Sequence, residues 1–354
     1  MTPLEREIRT IIETQGPITV SDYMQLCLAH PQHGYYVTRD PFGAAGDFVT
    51  APEVSQMFGE LLGAWAAAAW RQMGSPEGVR LIELGPGRGT LMADALRAAR
   101  ALPEFHAAVA VHLVEISPVL RATQEKALAG AGVPIEWHHG IEEIADGPAL
   151  AIANEFVDAL PISQFVKDRD GWHVRMVGVA DGKLAFVATP DPMLGHAVDA
   201  TPPGTILERR DDRPVSLLAQ RIARQGGAAL VIDFGHAESA FGDTLQAVRG
   251  HTFADPLENP GEADLTAQVD FAAVATWAQR QGAATQGPVA QGEFLRRLGI
   301  EQRAARLKAN ATPQQAADID AALARLTAPD QMGELFKVLA ITDPKLGPLP
   351  GFDR

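Results

Sequence analysis

The chain has 354 residues, carries a formal net charge of −14 at pH 7 and contains one cysteine, Cys27. The length is ample for a large hydrophobic core and gives a prior of about two domains. One cysteine excludes an internal disulfide and a cysteine-built zinc site, and it is typical of a reducing compartment. The acidic charge disfavours non-specific binding to nucleic acid or anionic membranes, and no run approaches the ~18 consecutive apolar residues of a membrane span.

The first 75 residues predict a helical region with one long glycine-rich loop. Helices are expected from about residue 4 to 14 and from 21 to 29, followed by the loop at 33–50. Thr50-Ala51-Pro52-Glu53 has the spacing of a capping box, so it predicts the start of a helix that reaches about residue 73. The glutamate-rich first helix is unlike a signal or transit peptide, so we expect a cytoplasmic protein without a leader.

From residue 79 onward, short apolar runs alternate with helical patterns, which is typical of a parallel sheet covered by helices. The predicted parallel strands are 79–84, 109–114, 135–137, 150–153 and 228–234, and the helices between them are 90–100 and 118–128. Residues 163–189 alternate apolar and polar positions as an antiparallel hairpin does, so we interpret them as an insertion. A helix-rich stretch at 286–328 and a late strand at 335–342 follow.

A glycine motif, Glu-Leu-Gly-Pro-Gly-Arg-Gly-Thr-Leu at 83–91, comes directly after a predicted strand and opens a helix. Gly85, Gly87 and Gly89 let a ligand approach the backbone closely. A dinucleotide fingerprint would need its third glycine at Thr90, and a P-loop would need Gly-Lys-Ser/Thr. The spacing matches the first motif of class I methyltransferases, so we predict S-adenosylmethionine as the cofactor.

Two acidic residues at predicted strand ends extend this cofactor site. Glu83 is placed to engage the cofactor's ammonium directly or through water, and Glu115, after the second strand, can accept both ribose hydroxyls. A lone glycine loop is often an ordinary turn. The succession of strand, loop, helix, strand and terminal acid favours the cofactor.

Polar residues also follow the fourth and fifth predicted strands, where ligands bind in open α/β sheets. Asn154 and Glu155 follow the fourth strand, and we favour function for Glu155 over capping of the next turn. For Asp158 the two readings are even. His236, after the fifth strand, is a candidate general base, although a lone histidine is more often a structural hydrogen-bonding group.

Two further clusters are interpreted as non-functional. His138 and His139 lack metal-ligand company in the sequence, so no metal site is expected and they are read as adenine-side or exposed loop residues. Acidic neighbours dilute the only basic cluster, so a solvated surface is favoured over a nucleic-acid site. That cluster comprises the arginines at 209, 210, 213, 221 and 224.

Six blocks of the sequence carry a family resemblance. They are GDFVTAPEVSQMFGE at 46–60, ELGPGRGTL at 83–91, NEFVDALP at 154–161, IDFGH at 232–236, PGEADLT at 260–266 and MGELFKVL at 332–339. Over nearly its whole length the chain resembles the MidA-like methyltransferases, bacterial relatives of a mitochondrial complex I assembly factor. Many methyltransferases share the glycine motif, whereas the first and third blocks are far more specific. Gln268 and Phe234 depart from the family's usual histidine and tyrosine.

The resemblance implies a protein arginine methyltransferase, with a respiratory complex I subunit as an example of its substrate. Glu155 and Glu53 are then the candidates for orienting the guanidinium, since carboxylates bind it in fork geometry. Gly46 and Thr50 belong to a candidate lid over the cofactor. The alternative is that Thr50 and Glu53 only form the capping box.

These patterns together predict an α/β fold: a Rossmann-like class I methyltransferase sheet with an N-terminal helical region and inserted hairpin and helical segments. The predicted divisions are 1–75, the helical region with the candidate lid; 76–162, the first part of the core; 163–225, an inserted substrate-side segment; and 226–354, the rest of the core with a helical insertion.

Two other functions remain open at this point. One is an assembly factor that binds S-adenosylmethionine without turnover, which broken cofactor residues would favour. The other is a methyltransferase for a small molecule or RNA, because a fold alone does not set function. The net charge counts against RNA, and the intact glycine motif counts against a scaffold.

Overall fold

The computed structural model describes residues 1–39, 50–189 and 201–352. Its helices are α1 (Pro3–Gln15), α2 (Val20–Ala29), α3 (Tyr35–Thr38), α4 (Ala51–Val54), α5 (Gln56–Gln72), α6 (Thr90–Ala99), α7 (Pro103–Ala108), α8 (Pro118–Leu128), α9 (Arg213–Gln225), α10 (Phe271–Arg280), α11 (Gln291–Arg297), α12 (Ile300–Lys308), α13 (Pro313–Thr327) and α14 (Met332–Leu335). Its strands are β1 (Ile18–Thr19), β2 (Val79–Leu84), β3 (Val109–Val114), β4 (Ile135–His138), β5 (Ala149–Asn154), β6 (Ile162–Asp168), β7 (Gly171–Ala180), β8 (Lys183–Ala188), β9 (Ile206–Arg210), β10 (Gly227–His236), β11 (Gln246–Arg249), β12 (Thr252–Ala254), β13 (Asp264–Thr266), β14 (Val269–Asp270), β15 (Ala284–Ala290) and β16 (Phe336–Thr342).

The main sheet has the order β15-β16-β10-β5-β2-β3-β4, and β14 pairs with the end of β10. The strands from β10 to β4 are mutually parallel. At the other edge β16 pairs antiparallel with β10, and β15 pairs antiparallel with β16. All five predicted parallel strands are therefore confirmed. The chain reverses strand order beside β2, which brings the carboxyl ends of β2, β3 and β5 to one crevice where ligands bind in such sheets.

The central strand β5 shows why the sheet is buried on both faces. Its alternate residues divide between two hydrophobic cores: Leu150 and Ile152 belong to one, and Ala151 and Ala153 to the other. This follows from the period of two along a strand. The first core includes α5 and α6, and the second includes α9 and α10. The near-continuous apolar run of β5 is the pattern of a parallel strand covered by helices on both sides.

Helix α6, which begins at the glycine motif, is held against α5 by two glycines. A Cβ at Gly59 would lie 2.6 Å from the Cβ of Asp94, and one at Gly63 would lie 2.4 Å from the carbonyl oxygen of Ala95. Only glycine permits this approach of the two helices. The close contact fixes where α6, and hence the glycine loop, sits above the sheet.

A second, antiparallel sheet has the order β1-β7-β6-β9, with β8 paired to β7. The predicted hairpin at 163–189 is thus three consecutive strands, and the N-terminal region adds β1 to them. The hydrophobic core of this second sheet includes Leu4, Ile8, Tyr23 and Met24 of α1 and α2. The N-terminal helices and the inserted strands therefore pack as one layer beside the crevice. The predicted domain boundaries stay a prediction.

Two sequence predictions about elements are wrong. The helix expected from Thr50 to residue 73 is two helices, because Ser55 leaves the helical conformation and its hydroxyl caps α5. The start of the helix-rich stretch, residues 286–290, is part of β15, which pairs with β16 across a β-bulge. Its Gly287-Pro288 step concealed the strand pattern. Within the described ranges, no helix is both long and apolar enough to span a membrane.

Candidate active site

A cavity of about 360 Å³ lies at the carboxyl ends of β2, β3 and β5. The glycine loop, Glu115 and the segment 139–142 line its sheet side, and α2 with Tyr36 lines the opposite side. A smaller cavity of about 40 Å³ shares Gly85, Gly87 and Glu155 with it. The two cavities therefore meet at the glycine loop and at the residue that follows β5.

The glycine loop has a backbone that other residues rarely adopt. Gly85, Gly87 and Gly89 have φ values of 64°, 51° and 81°, in the left-handed region. A Cβ at Gly85 would lie 2.8 Å from the Phe156 ring. Two of the three, Gly85 and Gly87, line both cavities, as the sequence motif predicts.

Glu115 lies at the floor of the larger cavity, where its carboxylate is held by two donors. The backbone N–H of Ser117 donates to Oε1 at 2.7 Å, and Gln124 Nε2 donates to Oε2 at 3.0 Å. The same Gln124 amide donates to the carbonyl oxygen of Gly87 at 2.7 Å, and its oxygen accepts from Trp137. Gln124 thus links the glycine loop to Glu115. Sequence reasoning missed it, since a glutamine within an amphipathic helix gives no signal.

Two buried side-chain oxygen atoms at this site accept no hydrogen bond from the described residues. They are Glu83 Oε2 and Asn154 Oδ1. Both side chains line the smaller cavity. Burial, with the nearby Glu115 charge, raises the pKa of Glu83 to about 8. A cationic ammonium would satisfy both oxygens, so these residues fit the amino-acid end of S-adenosylmethionine.

Glu155 occupies the junction of the two cavities in a strained conformation. Its φ of 49° is left-handed, which is uncommon outside glycine and is concentrated at functional sites. Its Oε1 accepts from the backbone N–H of Ala51 at 2.9 Å and from Asn154 Nδ2 at 3.1 Å. Burial raises the pKa of this carboxyl to about 7. The structure therefore places Glu155 where the sequence predicts it.

Thr50 and Glu53 also line the smaller cavity, but they do not form the predicted capping box. The Thr50 hydroxyl makes no capping hydrogen bond, and Glu53 is turned toward α6. Glu53 Oε1 accepts from the Thr90 hydroxyl at 2.6 Å, and its Oε2 lies 3.9 Å from Arg88 Nη1. The side-chain bond to α6 replaces the cap. Both carboxylates thus have partners within the chain, but Glu53 contacts a hydroxyl and the Arg88 guanidinium, whereas the Glu155 donors are neutral amide N–H groups.

Asp158 is buried behind Glu155 and is not among the residues that line the three cavities described here. Burial raises its pKa to about 6, and the neighbouring Arg210 opposes that rise. Asp233 accepts from the backbone N–H groups of Val157 and Asp158. These contacts of the Asp233 carboxylate order the loop after β5, and the role of the Asp158 side chain stays a prediction.

The predicted solvated surface is confirmed for Arg209, Arg213 and Arg224, which are exposed, and is wrong for Arg210 and Arg221. Arg210 is half-buried. Its guanidinium donates to five backbone carbonyl oxygens, those of Val157, Asp158, Leu160, Ala267 and Gln268. Arg221, from the same cluster, is buried and donates to the carbonyl oxygens of Ile144 and Ala145. Loop carbonyl oxygens accept from both guanidinium groups, which stabilises Arg221 in the interior and Arg210 in a half-buried position. Arg210 ties the loop after β5 to β9.

His236 lies away from the two cofactor-side cavities. It lines a third cavity, of about 790 Å³, between β9 and α10, together with Gln268. The structure therefore does not bring His236 together with Glu155, and its role as a general base stays a prediction without geometric support. Gly46, assigned to the cofactor from the sequence, lies outside the described residues.

The interpretation of His138 is wrong. His138 is buried, and His112 Nδ1 lies 3.0 Å from His138 Nε2. Glu136 joins them, so His138 does have company of metal-ligating type within the described part of the chain. The sequence concealed this group because its members come from two strands. His139 does line the larger cavity, as expected for a loop residue on that side.

Comparisons with known proteins agree with this site. The family described as "Putative S-adenosyl-L-methionine-dependent methyltransferase" matches residues 61–289. Protein arginine methyltransferase NDUFAF7 of Danio rerio is 36% identical, over 95% of this chain and 86% of its own length. The Drosophila melanogaster homologue is 39% identical, over 96% and 84%.

A solved structure shows the same fold. A protein of Burkholderia thailandensis, crystallised with bound S-adenosyl-homocysteine, superposes with a TM-score of 0.87 at 30% identity, covering 99% of this chain and 94% of that one. The glycine loop, the acidic residues at the strand ends and the two buried oxygen atoms without donors fit a ligand that contains an S-adenosyl group. The chain belongs to this family of S-adenosyl-L-methionine-dependent methyltransferases, and S-adenosylmethionine is its cofactor.

Proposed function

We propose that this chain methylates the guanidinium group of an arginine in a protein substrate. The observation that carries the proposal is the partly buried, strained Glu155 carboxyl at the junction of the two cavities. The relatives named as protein arginine methyltransferases support the same acceptor. The cofactor supplies an activated methyl group, so this chain has to bind, orient and polarise the acceptor.

Glu155 suits a guanidinium acceptor for a chemical reason. The guanidinium has a pKa above ~12 and a delocalised lone pair, so it is a poor nucleophile until its charge is localised. A carboxylate that accepts two of its N–H groups favours positive charge on those nitrogens and leaves the third richer in electrons. Because Glu155 is held by the Ala51 N–H and by Asn154, its position is fixed before substrate arrives.

Glu53 is the second carboxylate of this proposal. It lines the smaller cavity with Glu155, but the Thr90 hydroxyl and Arg88 already contact it. We assign it to closing the acceptor site rather than to the main guanidinium contact. Catalysis then rests on orientation and electrostatics, with no covalent intermediate on the protein.

We further propose a subunit of respiratory complex I as the protein substrate. The support is the family resemblance of the sequence blocks around Glu53, Glu155 and Asp264. The net charge of −14 favours approach of a cationic segment.

The experiment compares arginine methylation by mass spectrometry in cells with and without the gene. We expect at least one methyl-arginine peptide to disappear, and to return with the wild-type gene but not with Glu155→Gln. If no methyl-arginine is lost while the purified protein binds S-adenosylmethionine, the arginine proposal fails. Transfer of label from the cofactor to small metabolites alone would instead favour a small-molecule substrate.

A further inference from the structure

Three metal-ligating side chains converge on the outer edge of the main sheet. His112 lies on β3, and Glu136 and His138 lie on the edge strand β4. The two strands are parallel, with His112 paired to Glu136 and Val114 paired to His138. Since side chains two residues apart share a face, all three residues project from the same side.

The distances are those of a nearly formed coordination sphere. His112 Nδ1 and His138 Nε2 lie 3.0 Å apart, and each lies 3.9 Å from Glu136 Oε2. Zinc bonds of about 2.0–2.2 Å in tetrahedral geometry separate two ligand atoms by about 3.3–3.5 Å. The observed separations bracket this range, so adjustments of a few tenths of an ångström bring all three donors to one ion.

We propose that His112, Glu136 and His138 form a binding site for a divalent zinc-class metal ion at the β3–β4 edge. Two imidazoles and one carboxylate are a donor set that suits zinc and its neighbours in the transition series and does not suit magnesium or calcium. Glu136 is largely exposed, whereas both histidines are buried. The open side of the site therefore faces solvent, where water completes the coordination.

The site lies one residue from the cofactor cavity. The carbonyl oxygen of His138 accepts from the backbone N–H of Glu115 at 2.9 Å, and His139 lines the cavity. A metal that joins β3 to β4 would thus fix the strand ends that carry the ribose side of the cofactor site. Its role is structural, and it takes no part in methyl transfer.

Two cationic side chains near His112 lower the affinity of the proposed site for a metal ion. The Arg80 and Arg221 guanidinium groups lie close enough to act on the His112 ring, but loop carbonyls already hold both. They repel a divalent ion, and Glu136 opposes them. With three protein ligands rather than four, we expect a Kd on the order of micromolar, weaker than that of closed structural zinc sites.

The experiment uses the purified full-length protein after treatment with a chelator. Calorimetric titration with ZnCl₂ is expected to show one ion per chain, with no comparable heat from MgCl₂. Zinc at ~100 times its Kd is expected to raise Tm by a few degrees. A zinc-soaked crystal should show anomalous density between the three side chains.

Variants separate this site from adventitious binding. Glu136→Gln alters an exposed side chain, so it should leave the zinc-free Tm unchanged while weakening zinc binding at least tenfold. His138→Gln should abolish the stoichiometric heat. Glu125→Gln, another exposed glutamate, and His251→Gln, an exposed histidine, are the matched controls and should bind as the wild type does.

Zinc binding that persists unchanged in Glu136→Gln, an absence of stoichiometric heat in the wild type, or equal binding of magnesium would each overturn the proposal. Should His138→Gln fail to fold, the Glu136→Gln titration still decides. None of these readouts depends on methyl transfer, so the outcome is independent of the proposed function.

Discussion

Two buried carboxylates show how differently this protein treats negative charge. Glu60, on α5, is fully paired: Arg303 and Arg97 from two other helices donate to both of its oxygens, at 2.7–3.0 Å. Those arginines hold the pKa of Glu60 below its usual value even though burial opposes them. The described residues give Glu155, at the junction of the two cavities, the backbone N–H of Ala51 and the Asn154 amide as donors, and burial raises its pKa to about 7.

This difference in pairing distinguishes Glu60, which stabilises the fold, from Glu155, which is available to bind a ligand. Glu60 contributes stability that is fully present above the pKa of the unfolded chain and is lost as pH falls through its lowered folded pKa. Glu155 has the opposite sign, because its raised pKa makes stability fall as pH rises from about 4.5 towards 7. Glu83, with its orphaned Oε2, belongs with Glu155. The charged forms of Glu83 and Glu155 therefore lack a compensating cation in contact with them within the described part of the chain, and a cationic cofactor or acceptor would stabilise them.

Replacing Glu155 with glutamine should break the site without breaking the fold. We expect kcat for arginine methylation to fall by about 10²–10³-fold, because the variant loses a fixed charge that acts on the acceptor. Affinity for S-adenosylmethionine should change little, and Tm at pH 8 should not fall, since a neutral amide removes a buried charge. Activity and calorimetry on the purified variant measure both effects.

The matched control for this variant is Glu125→Gln, an exposed change on α8. It should leave kcat, cofactor affinity and Tm unaltered. Full activity in Glu155→Gln would remove Glu155 from the catalytic group.

Changing Gly87 to valine should remove cofactor binding while leaving the paired Glu60 region intact. The residue has a φ of 51°, which a β-branched side chain adopts only with strain, and it lines both cavities. We expect at least about a 100-fold loss of affinity for S-adenosylmethionine by calorimetry. Gly130→Ala, where a Cβ meets nothing within 4 Å, is the control and should bind normally. Wild-type affinity in the Gly87 variant would contradict the assignment of the loop.

The pH dependence of kcat/KM should report Glu155 directly. The charged carboxylate binds the guanidinium, and kcat/KM reflects the free enzyme, so it should rise about tenfold per pH unit below 7 and level off above it. The residual activity of Glu155→Gln should not show this rise of kcat/KM with pH. A wild-type profile that is flat from pH 5.5 to 8 would show that Glu155 titrates at its ordinary value.

Replacing Glu60 with glutamine should give the reverse pattern, a loss of stability with activity retained. Because Arg97 and Arg303 are partly exposed, the free energy of unfolding should fall by about 1–2 kcal/mol, less than for a fully buried pair. Denaturant unfolding measures this loss, and kcat per folded molecule should be unchanged. If activity falls by more than the unfolded fraction explains, Glu60 also contributes to activity, which contradicts the contrast between Glu60 and Glu155.

The sequence predicts the sheet well because its signals are local. The strands β2 and β3 are short, mostly apolar segments between turn or helix signals, and both have the predicted bounds, as does α8. Strand β15 was missed because Gly287 and Pro288 interrupt its pattern and its support comes from pairing with β16. The predicted capping box was wrong because Glu53 bonds to Thr90, a partner 37 residues away.

The residues of the site also fall into two groups, those with a local signal in the sequence and those without one. Glycine spacing and strand-end acids predict residues that line the two cofactor-side cavities, because both signals are local in the sequence. Gln124, Arg210 and the His112–His138 pair could not be predicted, because each acts through partners that only the fold brings near. The raised pKa of Glu155 is likewise a product of burial.

The most direct test of the contrast is a titration of the glutamate carboxyls by ¹³C NMR, with Glu155→Gln, Glu83→Gln and Glu60→Gln used for assignment. The account predicts that Glu155 titrates near 7 and Glu83 near 8 in the free protein, that Glu60 titrates below its usual value, and that S-adenosylmethionine lowers the pKa of Glu83. If Glu155 and Glu83 titrate near the ordinary value of ~4.3 in the free protein, their charge is already stabilised without a ligand, which contradicts the contrast with Glu60.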